Sequence, residues 1–133
     1  MAKEESQTVN PPVIDFHAII EKLLELVRLL FADQPELAAV VEGVFPTLAR
    51  LAADEGIDAV TTALDGLAGE NSKEHWDWII HRATHAERMK ILQAARQAAV
   101  ADIIAKIKRD QRRWDGLLAF IRIAAVLLPL LLP

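Results

Sequence analysis

The side chains able to hold a metal ion or pass a proton are concentrated in one stretch, Lys73-Glu74-His75-Trp76-Asp77-Trp78-Ile79-Ile80-His81-Arg82-Ala83-Thr84-His85. On a continuous helix Asp77, His81 and His85 fall four residues apart and share one face, with Glu74 one turn earlier, an arrangement that suits a divalent cation. The spacing permits a metal without specifying one. A zinc protease needs a glutamate directly after the first histidine of its pair, to activate water, and here Arg82 follows His81. A ferritin-like di-metal site needs Glu-x-x-His on two helices, whereas Lys90 stands three residues after Glu87. The competing reading makes Asp77 and His81 a surface pair, with Trp76 and Trp78 anchoring the start of a helix. His17 reads as a boundary histidine at the edge of an apolar arc. No phosphate loop, dinucleotide fingerprint, nucleophile elbow or paired catalytic carboxylates stand in the sequence, and it has no cysteine to supply a thiolate. The expectation is therefore a non-enzymatic chain with no catalytic residues and no cofactor, in which Asp77, His81 and His85 are the only metal candidates.

The elements that must position these residues are helices. Of the 133 residues, 53% are hydrophobic but only 5% aromatic, with no tyrosine and with alanine and leucine prominent, a composition that argues against a β-sandwich and against disorder. The fold class expected is all-α: a short helical hairpin or bundle as a head, then one long helix, then an apolar helical tail. The N-terminus, Met1-Ala2-Lys3-Glu4-Glu5, lacks the basic start and apolar run of a secretory signal. This points to synthesis inside the cell. Asn10-Pro11-Pro12 closes an extended polar arm over residues 1–12.

An acidic head over residues 13–70 is built from three amphipathic segments. Phe16, Ile19, Ile20, Leu23, Leu24, Leu26, Val27, Leu30 and Phe31 form one broad arc, with Leu29 off it. Asp33 is placed to cap the following helix through the amide of Glu36, with Pro35 tolerated in the first turn. Leu37, Val40, Val41, Val44, Phe45, Leu48 and Leu51 make the second stripe, which Pro46 is expected to kink or split near Gly43. Gly56 suits a left-handed helix end, and Ile57, Val60, Leu64 and Leu67 form a third, shorter stripe that stops at Gly69. Asn71 or Ser72 then caps a long basic helix over residues 71–113, which has neither proline nor glycine between Ser72 and Arg113. Its alanines, Ala94, Ala98, Ala101 and Ala105, form a small-residue seam, while Leu92, Ala99, Ile103, Ile107 and Trp114 lie on nearly the opposite side. Two apolar sides imply two neighbours, and the seam is the expected contact with another copy of the chain; the competing reading is a bent helix buried inside one bundle.

Charge is polarised along the chain. Residues 1–72 carry 13 acidic and 4 basic side chains, residues 73–133 carry 6 and 11, giving −9 and +5. Either the halves fold onto each other or copies meet with opposite charges facing. The compensating acidic half and the scarcity of aromatics argue against nucleic acid as a partner.

Residues 114–133 form a hydrophobic tail with Arg122 as its single charge after Asp115. Arg112 and Arg113, then Trp114, then Leu117, Leu118, Phe120, Ile121, Leu127 and Leu128 repeat the order of basic cluster, interfacial aromatic and apolar segment found at a membrane boundary. The stretch Trp114 to Leu128 is nevertheless only about 22 Å long as a helix, against about 30 Å of hydrocarbon. Three readings follow for the tail: a short membrane anchor, a plug that docks into a larger assembly, or the last core helix of a bundle. The function expected is a non-catalytic structural or scaffolding subunit, a virion component or an accessory subunit of a membrane complex. It would self-associate into a homo-oligomer through the long helix and be fixed to the membrane or particle by its tail. The alternative is a soluble helical protein-binding module with a histidine-based metal site.

Overall fold

The computed structural model describes residues 16–131 of the chain. The expected arm over residues 1–12 and the end of the tail at residues 132–133 lie outside the described residues. Within them the protein is all-helical: α1 (Phe16–Leu30), α2 (Pro35–Glu55), α3 (Ile57–Leu67), α4 (Ser72–Arg82), α5 (His85–Ala94), α6 (Gln97–Arg109) and α7 (Gln111–Leu131), with no strand among the described residues.

The periodic stripes read from the sequence are the faces that become buried. In α1 Ile20, Leu23, Leu24, Val27 and the following Phe31 are buried and Leu29, off the arc, is 72% exposed, but Leu26, a member of the expected arc, is left 44% exposed. In α2 every member of the predicted stripe from Leu37 to Leu51 is buried. Pro46 does not divide α2, which runs unbroken from Pro35 to Glu55. Gly56 separates α2 from α3 at φ 100°, ψ 150°, a region open to glycine but strained for any residue with a Cβ. The capping role expected of Asp33 is not what forms. Gln34, not Asp33, occupies the position before α2 and makes no side-chain cap, and the Asp33 carboxylate accepts from the Arg113 guanidinium.

The single helix expected over residues 72–113 is three helices and the first turn of a fourth, α4 to α7. The first break has a local cause: Thr84 accepts from the Glu87 amide at 3.1 Å and the Glu87 carboxylate accepts from the Thr84 amide at 2.9 Å, a reciprocal cap that starts α5. Ala83 accordingly turns extended. Ala95 is extended between α5 and α6. The third break falls at Asp110, whose carboxylate accepts from the Arg113 amide at 3.3 Å and starts α7.

Residues 114–127 form a helix packed within the bundle, the last of the three readings of the tail. Trp114, Leu117, Ile121 and Ala124, spaced 3, 4 and 3 apart, are buried in the same core as α1 to α6, and Leu118, Phe120 and Ala125 pack partly against it. The expected sequence of head, long helix and tail is not how the core is built: one cluster runs from Ile20 to Ala124. Its centre is the pairing of α2 with α7, and α1 also packs against both helices. Among the described residues no helix is long and apolar enough to cross a membrane.

The two oppositely charged halves fold onto each other. Cations of the second half meet anions of the first in the pairs Lys108–Asp65 at 3.0 Å, Arg82–Glu55 at 4.0 Å and Arg113–Asp33.

Candidate interaction surface

The corner between α4 and α5 decides the fate of the metal candidates. Arg50, from the middle of α2, donates to both Glu87 oxygens at 2.9 and 2.8 Å, to Asp54 at 2.7 Å and to the Arg82 carbonyl at 2.9 Å. Arg88 closes the other side by donating to the Ile80 carbonyl at 2.8 Å. These bonds hold the chain extended at Ala83, so His81 stands in the last turn of one helix and His85 begins the next. The four-residue periodicity that would align Asp77, His81 and His85 is lost at that point. Asp77 pairs with Lys73 at 3.1 Å, and both histidines are exposed. No group of three metal-ligating side chains stands close enough to hold an ion among the described residues. The Arg50–Glu87 pair is the centre of the corner electrostatically. Its hydrogen bond to Glu87 raises the Arg50 pKa against the opposing effect of burial. For Glu87 burial acts upward, but the hydrogen bonds from Arg50 and Thr84, with the Arg50 charge, hold the carboxyl below its ordinary value.

The expected seam of alanines is not continuous. Ala94 lies in α5, where it meets Gly43 of α2 so closely that a Cβ on Gly43 would overlap its methyl. Ala98, Ala101 and Ala105 lie in α6, beyond the extended Ala95. The buried residues of α6 are instead Val100, Ile104 and Ile107, and Leu92 of α5 is 53% exposed.

Of the residues assigned to the tail, Trp114, Leu117 and Ile121 face the core and are closed to any partner. Arg113 is drawn inward too, donating to the Leu30 carbonyl at 3.3 Å and to the carboxylates of Asp110 and Asp33, with its guanidinium 5.8 Å from the Phe31 ring centre. Leu118, Phe120 and Leu127 are partly buried, whereas Arg112 and Arg122 are exposed. Leu128 lies within α7, but its side chain is outside the described residues.

What α7 leaves open is its outer side. Helices α1 and α7 run antiparallel: Leu30 would contact a Cβ on Gly116 at 2.8 Å, while Leu127 shares a groove with Ala18, Ile19 and Leu23 at the other end. Leu26 lies between Leu23 and Leu30 on the flank of α1 turned to α7, and Ile123 lies between Gly116 and Leu127 on the matching flank of α7. Leu26 and Ile123 are each 44% exposed and Val126 is 64% exposed. Ala119, Arg122, Ile123, Val126 and Leu127 line a shallow groove of about 350 Å³. The signal for this face was present in the sequence: a helix apolar all round has apolar residues left over once one side is buried.

A second concavity, about 400 Å³, lies between α3 and α4 and is lined by Asp58, Thr62, Glu74, His75 and Trp78. The His75 ring is pressed onto Gly66, where any Cβ would overlap it. Its Nδ1–H donates to the Asn71 carbonyl at 2.9 Å, which fixes the tautomer because a carbonyl only accepts. Arg82 stacks on the Trp78 ring at 4.4 Å. Asp58 and Glu74 make no ion pair among the described residues. Sequence reasoning missed this groove, whose two walls belong to separate helices, with Thr62 and Glu74 12 residues apart in the chain.

Compared with models of protein families, with curated proteins and with solved structures, the chain shows no significant match.

Proposed function

We propose that the chain is a non-catalytic structural subunit, an accessory or scaffolding component of a larger assembly such as a virion or a membrane complex, that docks through the outer face of α7 and α1. One observation carries this reading. Leu26, Ile123 and Val126 stand 44%, 44% and 64% exposed on neighbouring helices whose opposite sides are fully buried. Apolar side chains scattered singly over a surface need no explanation, but a face shared by two packed helices marks an interaction surface. The test is binding of the apolar-surface dye bis-ANS by the full chain and by Ile123→Glu/Val126→Glu, with helicity as the folding control. The native chain is expected to bind the dye and the double variant to lose most of that binding. Equal binding by two equally folded proteins would overturn the reading.

The groove between α3 and α4 favours a second reading, a module that receives a cationic side chain from a partner protein. Two carboxylates without ion pairs beside an indole that already stacks on an arginine form a suitable receptor. Tryptophan fluorescence titrated with a lysine-rich peptide tests it, and a titration unchanged by Glu74→Gln would refute it.

A further inference from the structure

The outer face of α7 carries more than apolar surface. Its exposed residues Arg112, Asp115, Ala119, Arg122 and Val126 recur at intervals of three and four, so they form one stripe along the helix. Read along the chain, the stripe is cationic, anionic, small, cationic and apolar. We propose that it binds the same stripe of a second copy of this chain, antiparallel, with Ala119 at the crossing point. This rests on the reading of the face as a docking surface and names what docks there.

The argument is charge complementarity under two-fold symmetry. Turning the stripe end for end about Ala119 sets Asp115 of one copy beside Arg122 of the other. The symmetry makes that ion pair twice. The same operation sets Arg112 against Val126, where the arginine stem covers the valine and the guanidinium stays in water. At the centre two alanine methyls allow the helices to approach closely. A parallel arrangement puts Asp115 on Asp115 and Arg122 on Arg122, which the like charges oppose. Neither ion is consumed within its own copy. Arg122 makes no ion pair among the described residues, and Asp115 only accepts from Gln111 Nε2 at 2.8 Å within its own helix. The flanking Ile123 extends the contact toward the groove shared with α1. This interface is distinct from the alanine seam expected of the long helix.

The experiment is sedimentation equilibrium of the full chain and of Asp115→Arg, Arg122→Asp, Ala119→Glu and the double reversal Asp115→Arg/Arg122→Asp. All four change exposed positions of α7, and circular dichroism verifies that each is folded. The native chain is expected to pass from monomer to dimer between about 1 and 100 µM, the range of a small interface. Each single reversal places like charges opposite each other twice and is expected to weaken association at least about tenfold. Ala119→Glu is expected to do the same by obstructing the crossing. The double reversal exchanges the partners and restores association to within about threefold of the native value, a difference under 1 kcal/mol. A native chain that stays monomeric throughout, or a dimer indifferent to the reversals, overturns the inference. If the monomeric chain still binds bis-ANS through Ile123 and Val126, the docking surface stands and only its occupant was misassigned.

Discussion

Replacing Ile121 by alanine tests whether α7 belongs to the core or is an appended tail. Ile121 is fully buried, whereas Val126, five residues on in the same helix, is 64% exposed. Ile121→Ala removes three carbons from an enclosed site, at about 0.8 kcal/mol each in transfer free energy, or about 2.4 kcal/mol together. The cavity left behind adds to this, since the surrounding helices relax only partly, and buried Ile→Ala changes span about 2 to 5 kcal/mol. Alanine's better helix propensity returns a few tenths of a kcal/mol. The expected loss is about 3 kcal/mol. At a urea slope of about 1.5 to 2 kcal/mol per molar, the midpoint falls by about 1.5 to 2 M. Val126→Ala at the exposed position is expected to stay within about 0.5 kcal/mol of the native protein. Both are measured by urea unfolding followed by circular dichroism, at a concentration low enough to keep the chain monomeric. A difference between the two variants of less than about 1 kcal/mol would refute the placement of α7 in the core, because an unpacked tail does not distinguish its two sides.

Gly43→Ala is expected to lower stability by about 1 to 2 kcal/mol, the overlap with the Ala94 methyl outweighing the gain in helix propensity, and Ala94→Gly in the same chain is expected to restore much of it. A double-mutant cycle in urea measures that coupling. Gly56→Ala, at φ 100°, is expected to cost about 1 to 3 kcal/mol in the same assay. For Glu87, whose carboxyl is held below its ordinary value in the fold, the stabilising contribution is fully present above the unfolded value of 4.5 and is lost as pH falls through the lower folded value. Thermal melts from neutral to acid pH are therefore expected to show a shallower decline for Glu87→Gln than for the native chain.

How much was legible depended on whether a feature was local. The apolar stripes of α1 and α2 became buried faces because one side of an amphipathic helix has a single way to leave water. The break at Thr84 has a local signature, since Thr84-His85-Ala86-Glu87 has the spacing of a reciprocal cap, and it prevails over the lack of proline and glycine that favours an uninterrupted helix. That cap by itself removes the alignment of Asp77, His81 and His85. Asp33 shows the opposite case. Its local pattern favours a cap, but an arginine 80 residues away competes for the same carboxylate, and no local pattern contains that information. The three readings of the tail stay unseparated in the sequence for a similar reason. Its apolar content is what a membrane selects, and also what a helix central to a small bundle needs, and only its neighbours distinguish the two.

The antiparallel pairing of α1 with α7 also bears on the order in which the protein forms. Helix α1 precedes the other described helices in the chain, yet one of its two main partners is α7, the last of them, so its apolar side cannot be fully covered until α7 has been synthesised. Local contacts between neighbouring helices form early and at little entropic cost, whereas closing this pair joins segments separated by nearly the length of the chain. During translation the nascent protein therefore shows leucine and valine side chains that the finished bundle hides, and a product cut short before α7 keeps them exposed. Such fragments are natural clients for chaperones and proteases, so a copy lacking α7 is marked for removal by the same apolar side that α7 covers in the folded bundle.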